Sequence, residues 1–102
     1  MQSAKISGQW HIYIIRCKDK LLYTGITTDL KRRIKAHNSG NGCRFTKYRA
    51  PVRLLYTEGI LGRSQALKRE AQIKHLDKKA KLKLIKSANL SKKAKVRTRF
   101  HA

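Results

Sequence analysis

Residues 10–26 read WHIYIIRCKDKLLYTGI. Residues 10–17 are rich in β-branched and aromatic side chains, which is typical of a strand that is buried on both faces. Residues 21–26 form a second such run after the polar residues of CKDK, and the short gap predicts an antiparallel β-hairpin. Gly25 lies inside the second run, where glycine often marks the close approach of another backbone.

After the hairpin, the pattern alternates between helix and strand signals. The predicted elements are, in order, a helix over residues 29–38 with Thr28 as its N-cap, a loop over residues 39–51, a strand over residues 52–57, a helix from Ser64 as N-cap to about Leu76, and a helix from Lys78 to about Lys86. The order β-β-α-β-α-α predicts an α+β fold, an α/β sandwich in which helices flank a small three-stranded antiparallel sheet.

The size of the chain limits it to one compact domain, because 102 residues leave no room for a second. We expect a flexible N-terminus over residues 1–8 and a single domain over residues 9–87. Residues 88–102 form a basic tail that we expect to stay disordered until it meets a partner. We also expect the protein to be a monomer.

The charge of the chain predicts a polyanionic partner. There are 26 Lys and Arg residues against 5 Asp and Glu residues, so the formal net charge is +21. Such a charge favours nucleic acid, because binding releases the counterions condensed on it. No stretch approaches the roughly 18 apolar residues of a membrane-spanning helix. No apolar run of signal-peptide length opens the chain, so we expect a cytoplasmic protein without a membrane partner.

The cysteines and histidines do not match a metal or redox motif. Cys17 and Cys43 are not a CxxC pair, so we expect each to be a small buried hydrophobe rather than a nucleophile or ligand. The four histidines lack the spacing of a zinc site, and no structural zinc is expected.

The helix predicted over residues 29–38 carries a cation beside its inward face. Leu30, Ile34 and His37 share that face through their i, i+4, i+7 spacing, and Arg33 flanks it. Arg33 can be a structural cation over an aromatic ring or a guanidinium fork aimed at a phosphate. The spacing leaves both interpretations open.

The next helix places a carboxylate on its buried stripe. Ala66, Glu70 and Ile73 follow i, i+4, i+7 spacing in a chain with very few carboxylates. A buried, unpaired carboxylate is costly, so Glu70 needs a cation. That cation can be Arg33 or another base in an internal salt bridge, or a hard metal ion in a phosphodiester-cleaving site.

Two tyrosines lie in the predicted hairpin. Tyr13 is in the middle of the first strand, and Tyr23 is near the start of the second. Tyrosines in short strands usually pack in the core or at its rim. A phenol can instead act as a base or a hydrogen-bond donor, if neighbouring cations lower its proton affinity.

Taken together, these residues resemble the GIY-YIG nuclease domain. That family has a Gly-Ile-Tyr strand, a following Tyr-Ile-Gly strand, a helix with a central arginine, and a later helix with a glutamate. Here the strand motifs read HIY at residues 11–13 and YTG at residues 23–25. The blocks YTGITTDLKRRIKAHNSG, RFTKYRAPVRLLYTE and ALKREAQIKHL are especially close to small stand-alone bacterial members, and the resemblance covers roughly residues 9–87.

The resemblance implies roles for individual residues. Tyr13 and Tyr23 match the two motif tyrosines, Arg33 the helix arginine, His37 a histidine that lines the site in some members, and Glu70 the metal-binding glutamate. In the implied mechanism a tyrosine helps to deprotonate the attacking water, and the arginine stabilises charge on the phosphate. The glutamate holds one Mg²⁺ (or Mn²⁺) ion against the leaving oxygen. No small-molecule organic cofactor is implied.

Further basic residues are candidate contacts with the nucleic-acid backbone: Arg32, Arg44, Lys47, Arg49 and Arg53. The last four lie in or beside the predicted loop, and a merely solvated basic loop is the alternative interpretation. Contacts with phosphates carry no sequence information, so no base specificity is predicted.

The sequence supports three hypotheses about function. The first is a metal-dependent endonuclease that hydrolyses phosphodiester bonds in DNA, favoured over RNA, and that selects its substrate by structure. The second is a non-catalytic basic DNA- or RNA-binding module on the same scaffold. The third is an RNA- or ribosome-associated protein whose basic tail is the main feature. The first is favoured, because a pure binder has no need for a carboxylate that faces a polyanion.

Overall fold

The structure of the protein is a computed structural model that describes residues 8–101, with side chains described over residues 8–89. It contains three strands and three helices, which are β1 (Gln9–Arg16), β2 (Leu22–Thr27), α1 (Leu30–Asn38), β3 (Arg53–Leu61), α2 (Arg63–His75) and α3 (Lys78–His101). The strands form one antiparallel sheet of order β2-β1-β3. The predicted α+β class, element order and sheet are confirmed.

The central strand β1 is buried on both faces, as the sequence predicts. Residues 12–15 are at most 1% exposed. Ile12 and Ile14 point to one side of the sheet, where they pack with Ile73 of α2 and Ile85 of α3. This side holds the larger hydrophobic core and carries two of the three helices.

The other side of the sheet is covered by α1. Tyr13 and Ile15 point to this side and pack in a cluster that includes Leu30 and Ile34. His37 is fully buried on the same face of the helix. The inward face predicted for α1 is therefore confirmed, and it brings a histidine against the tyrosine of the central strand.

The starts of two helices differ from the predictions. Asp29, not Thr28, is the N-cap of α1, because its backbone is extended and its Oδ1 accepts a hydrogen bond from the Arg32 backbone N–H at 3.2 Å. Gly62, not Ser64, precedes α2, and its φ of 88° turns the chain directly from β3 into the helix. Both predictions of N-caps were wrong.

Two elements are longer than predicted. β3 continues to Leu61 instead of ending near Thr57, because it pairs with the whole of β1, from Gln9 opposite Leu61 onwards. α3 continues to His101 instead of ending near Lys86. Whether residues 88–102 become ordered only with a partner stays a prediction. None of the described helices is long and apolar enough to span a membrane.

An ion pair fastens α2 to β3. Arg69 of α2 donates from Nε to Oε2 of Glu58 at 2.7 Å and from Nη2 to Oε1 at 3.2 Å. The Tyr56 hydroxyl also donates to Oε1 of Glu58. These bonds let β3 keep a half-buried glutamate just beyond Thr57, where the strand was predicted to end, and they tie β3 to the helix that carries Glu70.

Candidate active site

The hydroxyl of Tyr13 is the centre of a buried polar cluster on the α1 side of the sheet. Its Oη lies 2.8 Å from Nε2 of His37 and accepts a hydrogen bond from Nε of Arg33 at 3.4 Å. Gly25 lies opposite on β2, where a Cβ atom would be 2.5 Å from the same oxygen. Glycine is therefore required there for the phenol to lie against the neighbouring strand.

His37 is held at both ring nitrogens. Nε2 contacts Tyr13, and Nδ1 lies 2.7 Å from Oγ1 of Thr46 in the loop between α1 and β3. Burial, and then the positive charge of Arg33, lower the pKa of His37 to about 4. The imidazole is therefore neutral near pH 7 and has one lone pair available as an acceptor.

The hydrogen bonds assign the tautomer of His37. The Tyr13 side chain is 1% exposed, so its proton needs an acceptor within the protein. Arg33 can only donate, which leaves Nε2 of His37 as the acceptor among the described residues. The ring proton must then be on Nδ1, where it is donated to Thr46.

Arg33 connects this cluster to solvent. Its guanidinium contacts Tyr13, and the residue also borders an open cleft of about 360 Å³ that runs beside α1. The cleft is lined by Thr27, Thr28, Asp29, Arg32, Arg33, Ala36 and Asn41. An anion that entered the cleft would meet two guanidinium groups.

Tyr23 lies beside the cluster. Its ring centroid is 5.5 Å from that of His37 and 6.4 Å from that of Tyr13, and it stacks on Phe45 at 5.5 Å. Burial raises the pKa of both tyrosines, and this outweighs the lowering effect of Arg33. The neighbouring cations therefore do not leave either phenol ionised near neutral pH.

The family of the chain follows from comparison with known proteins. The sequence model of the GIY-YIG catalytic domain matches residues 9–83. The chain belongs to the GIY-YIG family. This is a nuclease superfamily, whose domain type suggests a nucleic-acid substrate and is generally metal-dependent.

Relatives with the GIY-YIG domain match most of the chain. A UPF0213 protein of Staphylococcus saprophyticus is 51% identical over 75 residues, which are 74% of this chain and 92% of that protein. A UPF0213 protein of Clostridium perfringens is 46% identical over 80 residues, which are 78% of this chain and 86% of that protein.

Two solution structures resemble the fold. The UPF0213 protein of Bacillus halodurans has a TM-score of 0.51 and 41% identity, over 76% of this chain and 83% of that chain. A protein of E. faecalis has a TM-score of 0.58 and 35% identity, over 84% of this chain and 92% of that chain.

Glu70, which the resemblance predicts as the metal ligand, is not one of the described residues that hydrogen-bond to Tyr13 or His37. It is on α2, with Ala66 and Ile73 fully buried on the same helix face. Its side chain is 17% exposed and forms an ion pair with Lys74 at 3.3 Å, not with Arg33. Of the two predicted kinds of internal salt bridge, the structure has the one to another base, Lys74, and not the one to Arg33. Glu70 is nevertheless near enough to Tyr13 to contribute to the raised pKa of that phenol.

The donor set around Glu70 fits a weakly held magnesium ion. No group of three or more His, Cys, Asp or Glu side chains in the described residues could enclose a metal. Mg²⁺ typically keeps several waters and uses only one or two carboxylates, with substrate phosphates as further ligands. Glu70 can supply one such carboxylate, because its ion-pair partner Lys74 is half-exposed and can move away.

The loop cations divide into fixed and exposed residues. Arg49 pairs with Asp19 at 3.0 Å and lies 4.5 Å over the ring of Phe45, so it has a structural role. Lys47 lies 5.5 Å over the Tyr48 ring. The remaining candidates, Arg32, Arg44 and Arg53, are exposed.

Thr46 and Cys43 were missed by the sequence interpretation. Burial raises the pKa of Cys43, but hydrogen bonds from Thr46 and Tyr23 outweigh this effect and lower it below its usual value. Cys43 is half-buried among polar groups, so the expectation of a buried hydrophobe was wrong for it, whereas Cys17 is buried in the core. Thr46 lies in the block RFTKYRAP, and a single threonine there matches no motif that would indicate a role.

Proposed function

We propose that this protein is a metal-dependent endonuclease that hydrolyses phosphodiester bonds in DNA. The observation that carries the proposal is the buried hydrogen bond between Tyr13 and neutral His37, with Arg33 on the same phenol oxygen and at the wall of an open cleft. A proton acceptor (His37) and a cation suited to a phosphate (Arg33) thus both contact one hydroxyl, that of Tyr13. Phosphodiester hydrolysis needs these groups at one place.

Arg33 binds the phosphate in this proposal. Its hydrogen bond to Tyr13 is long, at 3.4 Å, and is therefore weak enough to exchange for a charge-assisted bond to a phosphate oxygen. Tyr13 is 1% exposed, so the attacking water reaches its oxygen only after Arg33 has moved towards the cleft. In this proposal, binding of the substrate draws Arg33 towards the cleft and thereby exposes the phenol oxygen of Tyr13.

The proton of the water passes to Tyr13 as the phenol proton passes to Nε2 of His37. The pKa of His37, about 4 without substrate, opposes this transfer. Arg33 is one cause of that low value, and a phosphate paired with Arg33 offsets its charge. The substrate therefore makes His37 a stronger base at the moment when a base is needed.

Glu70 is the residue that would hold the metal ion. When bound there, Mg²⁺ (or Mn²⁺) supplies positive charge to the phosphate and the leaving oxygen. Arg32, Arg44 and Arg53 are exposed and are proposed to contact the backbone of the nucleic acid, with Arg49 contributing mainly by fixing the loop.

The test is cleavage of plasmid and labelled oligonucleotides with Mg²⁺ and with EDTA. We expect Mg²⁺-dependent cleavage that falls about 10²- to 10³-fold in each of Arg33→Ala, Glu70→Gln and Tyr13→Phe. Lys31→Ala, an exposed neighbour on α1, and Asp77→Asn, which keeps a capping side chain for α3, are the matched controls. Cleavage at the parent rate by Arg33→Ala and Glu70→Gln would contradict the assignment of the site.

The high charge of the chain favours a second candidate, a non-catalytic nucleic-acid-binding module. Its signature is salt-dependent binding without cleavage in any divalent metal. The same experiment, run on DNA and RNA in linear, flapped and branched forms, tests our proposals that DNA is preferred and that the substrate is selected by structure. Equal cleavage of all forms would contradict both.

A further inference from the structure

We propose that Thr46 is a positioning residue that holds His37 in the tautomer able to accept the proton of Tyr13. The inference rests on the proposed function, since it concerns the same proton transfer. Thr46 is fully buried, and its Oγ1 lies 2.7 Å from Nδ1 of His37. It does not contact the proposed phosphate site, so its effect on the reaction is exerted through the imidazole.

The direction of the Thr46 hydrogen bonds supports this role. The hydroxyl proton faces Cys43, whose backbone carbonyl is 3.4 Å and whose Sγ is 3.5 Å from Oγ1, and the oxygen lone pairs remain for the N–H of His37. The chain of donors therefore runs from Tyr13 to His37, from His37 to Thr46, and from Thr46 to Cys43. Each buried donor in this chain has an acceptor.

Close packing of the loop keeps Thr46 in place. Gly42 lies against the imidazole so tightly that a Cβ atom there would overlap Nδ1 and Cα of His37. Asn38, one residue after His37, accepts from the Val52 backbone N–H at 2.6 Å at the far end of the loop. The loop is thus fastened to α1 on both sides of Thr46.

The proton transfer balances with Thr46 as a fixed acceptor. The Tyr13 proton forms the new N–H bond at Nε2, and the water proton replaces it on the phenol oxygen. The Nδ1 proton stays in its hydrogen bond to Thr46, which becomes charge-assisted as the ring turns into an imidazolium. In the opposite tautomer Nε2 already carries a proton and cannot take a second.

Replacing Thr46 with valine keeps the shape and removes the acceptor. The Nδ1–H group would then be buried without a partner, which removes the hydrogen bond that stabilises this tautomer and lets the Nε2–H form gain population. We expect the ¹⁵N shifts of His37 to move from the Nδ1–H towards the Nε2–H tautomer in Thr46→Val. We also expect kcat to fall about 10- to 100-fold with little change in KM.

Two variants serve as controls for this experiment. Thr46→Ser keeps the hydroxyl and should retain the tautomer and most of kcat. Thr24→Val removes another buried threonine hydroxyl, one without a hydrogen-bond partner among the described residues, from the opposite side of the sheet. It should change neither the His37 shifts nor kcat.

The spectrum separates this inference from the proposed function. An Nε2–H tautomer in the unmodified protein overturns the role of Thr46, whether or not Thr46→Val folds. Unchanged shifts and kcat in folded Thr46→Val overturn it as well. If the unmodified protein cleaves nothing but its Nδ1–H tautomer is lost in Thr46→Val, the positioning role stands and the nuclease proposal fails.

Discussion

His37 combines complete burial with a titratable ring, so it links the cluster to the stability of the fold. Its hydrogen bonds to Tyr13 and Thr46 use the neutral form, and Arg33 adds a further cost to protonation. The folded protein therefore binds the proton of this histidine less readily than the unfolded chain does. The residue proposed to accept the proton of Tyr13 thus also makes the fold sensitive to acid.

We predict that His37 makes the protein lose stability as the pH falls from about 6.5 towards 4. In this window the unfolded chain binds a proton at His37 and the folded protein does not, because the pKa is lowered from 6.5 to about 4. The loss across the window is roughly 3 kcal/mol. The phenols of Tyr13 and Tyr23 and the guanidinium of Arg33 keep their charge state there.

Urea unfolding followed by the fluorescence of Trp10 at several pH values measures this effect. His37→Gln should be less stable near pH 7 but should show a shallower dependence on pH than the parent. Parallel curves for the two proteins would mean that the histidine is not protected from protonation in the fold.

At the scale of elements, α2 carries both the proposed metal ligand and the lysine that pairs with it. Glu70 and Lys74 are one helical turn apart and form an ion pair. The lysine neutralises the carboxylate, and under the proposed metal-binding role of Glu70 it has to leave when a cation binds. In that proposal Lys74 competes with the metal ion and takes no part in the reaction.

We predict that Lys74→Gln binds Mn²⁺ about two- to fivefold more tightly than the parent, because an exposed ion pair of this kind is worth only a modest free energy. Titration of Mn²⁺ followed by electron paramagnetic resonance measures the free ion directly. Lys68→Gln, an exposed lysine on the same helix, makes the same change in net charge. Equal tightening in both variants would show a general charge effect, and Glu70→Gln should abolish the site.

The elements differ in how far the sequence predicts them. The burial of β1 follows from its continuous run of β-branched and aromatic residues, and the inward face of α1 follows from i, i+4, i+7 spacing. Residues 12–15 and His37 are buried as these patterns predict. The N-caps do not follow from such patterns, because they depend on single backbone angles such as the φ of Gly62. The length of β3 depends on pairing with β1, which outweighs the local turn tendency around Glu58.

The candidate site was likewise predictable only in part. The positions of Tyr13, Tyr23, Arg33 and His37 follow from the resemblance, and the structure places these four side chains together. The i, i+4 spacing of Glu70 and Lys74 allows their ion pair to be expected from the sequence, but it does not show that this pair forms instead of one with Arg33. Thr46 was not predictable, since its role arises from one contact across the fold.

At the scale of the whole molecule, positive charge covers both sides of the sheet. α1 borders the cleft with Arg32 and Arg33, and α3 packs on the opposite side through Ile85. The described part of α3 exposes Lys79, Lys83 and Lys86 along one stripe. Nucleic acid bound at the cleft could extend around the domain to this second basic surface.

We predict that changing Lys79, Lys83 and Lys86 together to glutamine weakens DNA binding and lowers the salt dependence of log K by up to about 3, if each lysine contacts one phosphate. The rate of cleavage at saturating DNA should be unchanged, since α3 packs on the side of the sheet opposite to Tyr13. Fluorescence anisotropy at several salt concentrations measures the slope. The same three positions changed to arginine keep the charge and should keep the slope, whereas an unchanged slope in the glutamine variant would exclude α3 from the interface.

The alternation of side chains along β1 has a consequence for protein engineering. Neighbouring residues of this strand belong to different compartments, with Tyr13 in the polar cluster and Ile12 and Ile14 in the core beneath α2 and α3. The sheet thus separates the Tyr13 cluster from the larger core, and Glu70 is the one proposed site residue carried by a helix of the core side. A designer could repack Ile12, Ile14 and Ile85 for heat resistance while leaving the Tyr13 cluster and Glu70 unaltered.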